Sequence, residues 1–255
     1  MWLVFVDGVL QSSVDLADPT NLAVPYTAWI GQVIDRHWTA GAVISAVHVG
    51  GAGCTVPRYV AATRPGSDQR VFEFDGGLVD LVRERLDLDA VPGMRVEVRD
   101  GLAGIGDLPG ESADLVVVDV FRGGAVATEL ATVEAVTQSA RVLRHGGLYA
   151  ANLWDGGDLG FVRRATAAVG KVFRHVLVMG EAGVLIGQRP GNLVVAASAA
   201  ELAVAELTGW VSADPDSVRC LTSRQLADLC GTAPPLTEAE PLAGVVPSIR
   251  GRPRT

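Results

Sequence analysis

Two kinds of segment alternate along most of this chain, and they differ in how their apolar and polar positions are arranged. Short continuous apolar runs such as Leu115-Val116-Val117-Val118 are typical of strands buried on both faces. The segments between these runs carry apolar residues at helical spacing, most clearly over residues 26–38. Strands that alternate with helices predict an α/β fold with a mainly parallel, doubly wound sheet.

The predicted strands cover residues 2–6, 9–12, 44–49, 71–74, 95–98, 114–120, 148–152, 175–179 and 192–197. The predicted helices cover residues 26–38, 55–62, 78–86, 129–143, 159–172 and 222–230, with a short one after residue 101. Only a short break separates the last two strands, which predicts an antiparallel hairpin at the sheet edge. Such a hairpin is more typical of methyltransferase-like sheets than of dinucleotide dehydrogenases. The pattern divides the chain into three regions: an N-terminal β-hairpin (1–25), a central α/β domain (26–200) and a C-terminal helical extension and tail (201–255).

Composition narrows the class of protein. The chain has 255 residues, 49% of them hydrophobic, which suffices for a large core. A net charge of −8 argues against a nucleic-acid partner. Three scattered cysteines and four histidines without metal-ligand spacing predict no disulfide framework and no metal, and a cytoplasmic location. No apolar run is long enough to span a membrane, so we expect no membrane partner.

A glycine-rich loop follows the predicted strand at 44–49 and precedes a helix. Gly50, Gly51 and Gly53 allow backbone N–H groups to approach a ligand at the helix N-terminus. Glu73 ends the next strand, about twenty residues further on, where a carboxylate can accept from both hydroxyls of a ribose. The same spacing predicts that Asp75 caps the following helix. These features predict a nucleoside site.

Two further aspartates lie at or just after the ends of predicted strands. Asp119 closes the most apolar strand, at the sheet edge where open α/β folds bind ligands. It is a candidate to take a proton from an attacking amine; the alternative is a bond to the next helix N-terminus. Asp100 precedes Gly101 and is either a turn residue or a ligand contact.

Taken in order, these segments resemble the spermidine synthase (polyamine aminopropyltransferase) family, in particular its actinobacterial branch. The matching segments are Asp7-Gly8-Val9-Leu10-Gln11, Tyr26, Gly50-Gly51-Ala52-Gly53, Cys54-Thr55-Val56-Pro57-Arg58-Tyr59, Glu73-Phe74-Asp75, Asp100-Gly101, Asp119 and Arg141-Val142-Leu143-Arg144-His145-Gly146-Gly147. The resemblance implies a Rossmann-like S-adenosylmethionine-dependent methyltransferase fold, an N-terminal hairpin and a homodimer. It also implies aminopropyl transfer from decarboxylated S-adenosylmethionine to putrescine, with release of methylthioadenosine.

Site roles follow from the same resemblance. It implies that Asp119 is catalytic and that Tyr26 contacts the acceptor amine. Arg122 and Trp154 are candidate acceptor-site residues by position. The nucleoside is expected to contact Gln11, Gly50, Gly51, Gly53, Glu73, Asp100 and Gly101.

Three departures from the family pattern make the acceptor site atypical. Arg122 stands where the family has a second acid, Thr27 replaces a histidine, and the glycine loop lacks an acid. A guanidinium repels an ammonium, which argues against putrescine as the acceptor. The expected function is aminopropyl transfer to another amine. The alternatives are an S-adenosylmethionine-dependent methyltransferase, a non-catalytic adenosyl-nucleoside-binding homologue and, least favoured, a dehydrogenase.

Overall fold

The structure is a computed structural model, which describes residues 1–6, 8–122, 125–212 and 218–242. Its strands are β1 (Trp2–Val6), β2 (Val9–Val14), β3 (Ser45–Val49), β4 (Asp68–Glu73), β5 (Met94–Val98), β6 (Ala113–Val118), β7 (Phe121–Arg122), β8 (Ala125–Val126), β9 (Leu143–Asp155), β10 (His175–Glu181), β11 (Gly191–Ser198) and β12 (Val218–Thr222). Its α-helices are α1 (Pro25–His37), α2 (Thr55–Thr63), α3 (Gly76–Arg85), α4 (Gly101–Gly106), α5 (Val133–Val142), α6 (Gly160–Val172), α7 (Ala182–Leu185), α8 (Val204–Ser212) and α9 (Ser223–Cys230).

The central sheet has eight strands in the order β12-β10-β11-β9-β6-β3-β4-β5. Strands β5, β4, β3, β6 and β9 are mutually parallel, and β11, β10 and β12 run antiparallel to their neighbours. This arrangement confirms the predicted Rossmann-like, mainly parallel sheet. Strands β1 and β2 form a separate antiparallel hairpin, which confirms the predicted N-terminal hairpin.

Helices cover both faces of the sheet, and β6 shows why its sequence is continuously apolar. Leu115 and Val117 pack in one cluster with α1, α2 and α8 residues, whereas Val116 and Val118 pack in another with α5 and α6 residues. A parallel strand buried on both faces has no position for a polar residue. The first polar residue after this run is therefore Asp119, at the carboxyl edge.

The region predicted as one helix over residues 129–143 is divided in the structure. A 3₁₀ helix covers Thr128–Ala131, and α5 begins after Thr132, whose side chain accepts from the N–H of Ala135. Leu143, predicted to end this helix, instead begins β9. The hydroxyl cap at Thr132 restarts the helix, because it satisfies an N–H group that has no helical partner.

The last strand, β12, was not predicted. It pairs with β10, so the antiparallel β10–β11 hairpin lies one strand inside the sheet edge. Part of the region 201–255 therefore belongs to the sheet, and Leu236 is fully buried in the core. The three-region division stays a prediction. Within the described ranges, no helix combines the length and apolarity needed to cross a bilayer.

Candidate functional site

The candidate site lies at the carboxyl edge of the sheet, where the strand order reverses. Strand β3 leads into the glycine loop. In the sheet it pairs with β4 on one side and with β6 on the other. The N–H of Asp119 donates to the carbonyl of Val49 at 2.8 Å, which joins the ends of β3 and β6. Open α/β sheets bind ligands in the crevice at this switch point.

A cavity of about 360 Å³, called here the main cavity, opens at this crevice. Its wall contains Gln11, Gly50, Glu73, Asp100, Gly101 and Asp119, together with Val6, Val49, Ala52, Phe72, Phe74, Asp75, Gly76, Leu78, Leu102, Val120, Phe121, Glu129 and Leu130. Six of the predicted site residues thus share one wall. Gly51 lines a smaller adjoining cavity of about 30 Å³, called the inner cavity, with Tyr26.

The glycine loop fits its surroundings so closely that side chains are excluded. Gly50 has φ +82°, and a Cβ there would lie 2.1 Å from the carbonyl oxygen of Asp119. A Cβ on Gly53 would lie 2.6 Å from Val14 in β2, which packs the hairpin onto the loop. These glycines position the loop against Asp119 and against the hairpin that carries Gln11.

Glu73 holds the loop from the end of β4. Its Oε2 accepts from the N–H groups of Gly51 at 2.8 Å and Ala52 at 3.1 Å, and its Oε1 accepts from the N–H of Asp75 at 3.0 Å. The carboxylate therefore faces the main cavity with both oxygens already oriented by backbone. Its predicted ribose contact stays a prediction.

Two aspartates in the wall cap helices. The side chain of Asp75 accepts from the N–H of Leu78 at 3.0 Å, which confirms its predicted role as the cap of α3. Asp100 accepts from the N–H of Ala103 at 3.1 Å at the start of α4. Asp100 thus has a structural role as well, and its adenine contact stays a prediction.

Asp119 is partly buried in the wall, and two side chains from other elements orient it. The hydroxyl of Tyr26 donates to Oδ2 at 3.0 Å, and the side-chain N–H of Asn152 in β9 donates to Oδ1 at 2.9 Å. Burial raises the pKa of Asp119, the two hydrogen bonds oppose that shift, and the nearby charge of Glu73 adds to it. A raised pKa suits a carboxylate that must accept a proton near neutral pH.

Asn152 was not predicted as a site residue. It lies on β9, which is next to β6, and the signal was its position near the carboxyl end of the neighbouring parallel strand. Asp75 and Glu129 were likewise not predicted to line the cavity.

Two further predicted residues, Gly53 and Trp154, are not among the residues that line either cavity. Trp154 is partly buried and packs against the core cluster on the α5–α6 face. Its neighbour Asp155 is fully buried and accepts from the N–H groups of Gly157 and Leu159, each at 2.8 Å. Arg122 belongs to β7, and its side chain, like all of Asp7, falls outside the described residues.

The main cavity is strongly acidic. Its wall includes the carboxyl groups of Glu73, Asp75, Asp100, Asp119 and Glu129, and among the described wall residues there is no lysine, arginine or histidine. Apolar side chains, among them Phe72, Phe74 and Leu102, complete the wall. The described residues contain no group of three or more His, Cys, Asp or Glu that would hold a metal ion.

The chain is similar to several proteins of known structure. A probable spermidine synthase from Corynebacterium glutamicum has a TM-score of 0.84 and 28% identity, covering 99% of this chain and 91% of that protein. The chain is therefore similar to this probable spermidine synthase over nearly its whole length. This similarity confirms the resemblance stated from the motifs.

Other similar structures are more distant and show the fold alone. Thermotoga maritima spermidine synthase has a TM-score of 0.60 and 16% identity, covering 76% of this chain and 64% of that one. Human methyltransferase-like protein 13, in complex with SAH, has a TM-score of 0.55 and 20% identity, covering 68% of this chain and 80% of that one. No model of a protein family matches the chain, and no curated protein sequence is significantly similar to it.

Proposed function

We propose that this spermidine-synthase-like protein is an aminopropyltransferase. The donor is decarboxylated S-adenosylmethionine and the acceptor is an amine. One observation carries the proposal: a partly buried carboxylate, Asp119, is held by Tyr26 and Asn152 at the wall of an acidic cavity that the glycine loop also lines. Catalytic bases are commonly found with such burial and orientation.

The size and chemistry of the main cavity support an adenosyl ligand. A volume of about 360 Å³ lies within the range of small-molecule sites, roughly 300–1,000 Å³. Glu73 offers carboxylate oxygens for the ribose hydroxyls, and Phe74 and Leu102 offer apolar surface for a base. A spermidine synthase of this fold binds a transition-state analogue, AdoDATO, which supports the same class of ligand here.

The charge of the wall supports the decarboxylated donor. Decarboxylated S-adenosylmethionine carries a sulfonium and an ammonium, whereas the intact molecule adds a carboxylate. Five acidic groups line the main cavity, and the described wall has no cationic side chain to pair with that carboxylate. An unpaired carboxylate in an acidic cavity is repelled, so the decarboxylated form is favoured.

The reaction requires a neutral amine nitrogen to attack the methylene carbon beside the sulfonium. A C–N bond forms and the C–S bond breaks, so that sulfur keeps the electron pair and methylthioadenosine leaves. The nitrogen becomes cationic and gives its proton to Asp119. Tyr26 and Asn152 hold both oxygens of that carboxylate and so fix its direction relative to the amine.

A product assay tests this function directly. Purified protein, decarboxylated S-adenosylmethionine and a panel of primary amines should yield methylthioadenosine and an aminopropylated amine. Asp119→Asn should abolish turnover and leave the affinity for methylthioadenosine within about two-fold. If wild-type protein binds methylthioadenosine but alkylates no amine, the non-catalytic alternative replaces this proposal.

One observation supports methyl transfer as the second candidate. The glycine loop, Gly50-Gly51-Ala52-Gly53, lacks the acid that would repel the carboxylate of intact S-adenosylmethionine. The two donors separate the candidates, since a methyltransferase requires the intact one. A lower dissociation constant for intact than for decarboxylated S-adenosylmethionine would favour methyl transfer.

The proposal includes a homodimer. Strand β1 exposes Trp2, Leu3 and Phe5 by 51%, 52% and 56%. Neighbouring exposed apolar side chains on a hairpin favour association with another chain. Light scattering coupled to gel filtration should give twice the monomer mass of 26.6 kDa. A monomeric mass at micromolar concentration would contradict this part of the proposal.

A further inference from the structure

The segment that follows α9, residues 234–242, is called here the C-terminal segment. It is irregular except for one isolated bridge between Thr237 and Glu240. Leu236 is nevertheless fully buried, in the core cluster that also contains Leu130 and Ala131. The buried backbone of an irregular segment must find its hydrogen-bond partners in other elements. Those partners show what the segment holds in place.

Two hydrogen bonds connect the C-terminal segment to the 3₁₀ helix at Thr128–Ala131. The hydroxyl of Thr128, the first residue of this helix, donates to the carbonyl of Leu242 at 2.9 Å. The N–H of Val133, two residues after its last residue, donates to the carbonyl of Leu236 at 2.9 Å. The segment therefore holds the 3₁₀ helix at both ends.

The 3₁₀ helix forms part of the wall of the main cavity, through Glu129 and Leu130. It has only four residues, and the hydrogen-bond geometry of a 3₁₀ helix is poorer than that of an α-helix. Its position therefore depends on contacts with other elements. Residues 234–242 are not among the residues that line either cavity. The C-terminal segment can therefore act on the cavity only through the residues that it holds.

Arg164 in α6 anchors the C-terminal segment from another side. Its Nε donates to the carbonyl of Pro234 at 3.3 Å, and its Nη2 donates to the carbonyl of Glu240 at 3.2 Å. Its own carbonyl accepts from the N–H of Leu236 at 3.1 Å. The Arg164 side chain is 16% exposed and lines neither cavity. Arg164 thus fixes the segment without belonging to the site.

We infer that the C-terminal segment is a positioning element of the candidate site, which holds Glu129 and Leu130 in the wall of the main cavity. The inference rests on the proposed function and deepens it, because this wall belongs to the proposed nucleoside site. The contacts run from Arg164 to the segment, and from the segment to Thr128 and Val133. Breaking them at either end should loosen the 3₁₀ helix and weaken nucleoside binding.

Two substitutions break these contacts at opposite ends. Thr128→Val removes the hydroxyl that donates to the segment, whereas Thr128→Ser keeps a hydroxyl there. Arg164→Met removes both side-chain bonds to the segment and leaves the 3₁₀ helix unchanged in sequence. Thr166→Val is the control for the first change, because the buried Thr166 hydroxyl has no partner among the described residues. Arg163→Met, at the exposed neighbouring position of α6, is the control for the second.

The first readout is amide hydrogen exchange over residues 128–131 without any ligand. The N–H of Leu130 donates to the carbonyl of Ala127 at 3.1 Å, and it exchanges when the 3₁₀ helix opens. Exchange should be roughly three- to ten-fold faster in Thr128→Val and Arg164→Met, as expected for the loss of a hydrogen bond that holds the helix. Thr128→Ser and both controls should stay within about two-fold of wild type. An unchanged rate in Arg164→Met would overturn the inference.

The second readout is the dissociation constant for methylthioadenosine, measured where each variant is folded. It should rise roughly three- to ten-fold in Thr128→Val and in Arg164→Met. The double variant should bind about as weakly as the weaker single variant, because both changes act through the same segment. Thr128→Ser and the two controls should bind as wild type does.

A purely structural segment gives a different result. Thr128→Val and Arg164→Met would then unfold at lower urea concentration while their affinity for methylthioadenosine stayed that of wild type. In that case the inference is wrong and the proposed function stands. If wild-type protein binds neither methylthioadenosine nor decarboxylated S-adenosylmethionine, the proposed function fails, and the exchange measurement alone decides whether the segment holds this wall.

Discussion

Replacing Gly50 by alanine tests the close approach of β3 and β6 on which the candidate site depends. Gly50 has φ +82°, and an added Cβ would lie 2.1 Å from the carbonyl oxygen of Asp119 and 2.8 Å from its carbonyl carbon. Both atoms belong to the backbone, so no side-chain rotation relieves the clash. The variant must move the strand end that carries the proposed base.

The chain offers a matched control in Gly41, which has φ +75° and no atom within 4 Å of an added Cβ. Gly41→Ala should cost only the backbone strain, roughly 1–2 kcal/mol. Gly50→Ala adds an overpacking cost of roughly 1–3 kcal/mol, giving roughly 2–5 kcal/mol in total. Urea unfolding of both variants at pH 7 measures the difference.

Ligand binding supplies a second readout for the same pair. Gly50→Ala should also weaken methylthioadenosine binding, because the loop and Asp119 are displaced together, whereas Gly41→Ala should not. If the two variants lose equal stability and bind the ligand as wild type does, the described approach of the loop to Asp119 is wrong.

Three further predictions concern side chains of this region. Burial raises the pKa of Asp119, so the native state binds its proton more tightly than the unfolded chain, and wild-type stability falls as pH rises through the native pKa. Urea unfolding should therefore show Asp119→Asn gaining stability relative to wild type as the pH rises above about 4, the pKa of a free carboxyl; a constant difference would contradict the burial argument. Tyr26→Phe removes a hydrogen bond that lowers the pKa of Asp119, so the acid limb of the pH–rate profile should move to higher pH; an unmoved limb would mean that another group titrates. Asp155→Ala leaves the N–H groups of Gly157 and Leu159 unpaired, and should cost roughly 2–4 kcal/mol in urea unfolding with no change in methylthioadenosine affinity; a loss of affinity would place this end of β9 in the ligand site.

The order of strands and helices could be predicted because buried parallel strands and amphipathic helices leave different patterns. Strand β6 is an unbroken apolar run, and α1 has apolar residues at helical intervals, so both were predicted close to their observed bounds. Strand β12 was missed because it has five residues, only one of them buried, and follows a region of weak pattern. Its place in the sheet depends on pairing with β10, which no local pattern in its own sequence specifies.

Site residues could be predicted only where they lie at the ends of strands that the sequence pattern predicts. Glu73 and Asp119 lie near the ends of predicted strands, and Asp100 lies just after one. Because the carboxyl ends of parallel strands meet at one edge, their shared wall follows from the pattern. Asn152 and His48 lie within strands, where an isolated polar residue does not reveal its partner. Their bonds to Asp119 and Gln69 depend on the order and register of neighbouring strands, which only the three-dimensional structure gives.

Glu73 shows how one carboxylate can support both the loop and a ligand. An ionised carboxylate has about four lone-pair sites. Three backbone N–H groups, from Gly51, Ala52 and Asp75, already approach its two oxygens, with the first two sharing Oε2. Among the described hydrogen bonds, Oε1 accepts only the one from the N–H of Asp75. It can therefore also accept a hydrogen bond from a ribose hydroxyl while the loop stays in place. For the proposed nucleoside ligand, the loop conformation is thus held before binding, so that binding does not have to supply the free energy of ordering the loop.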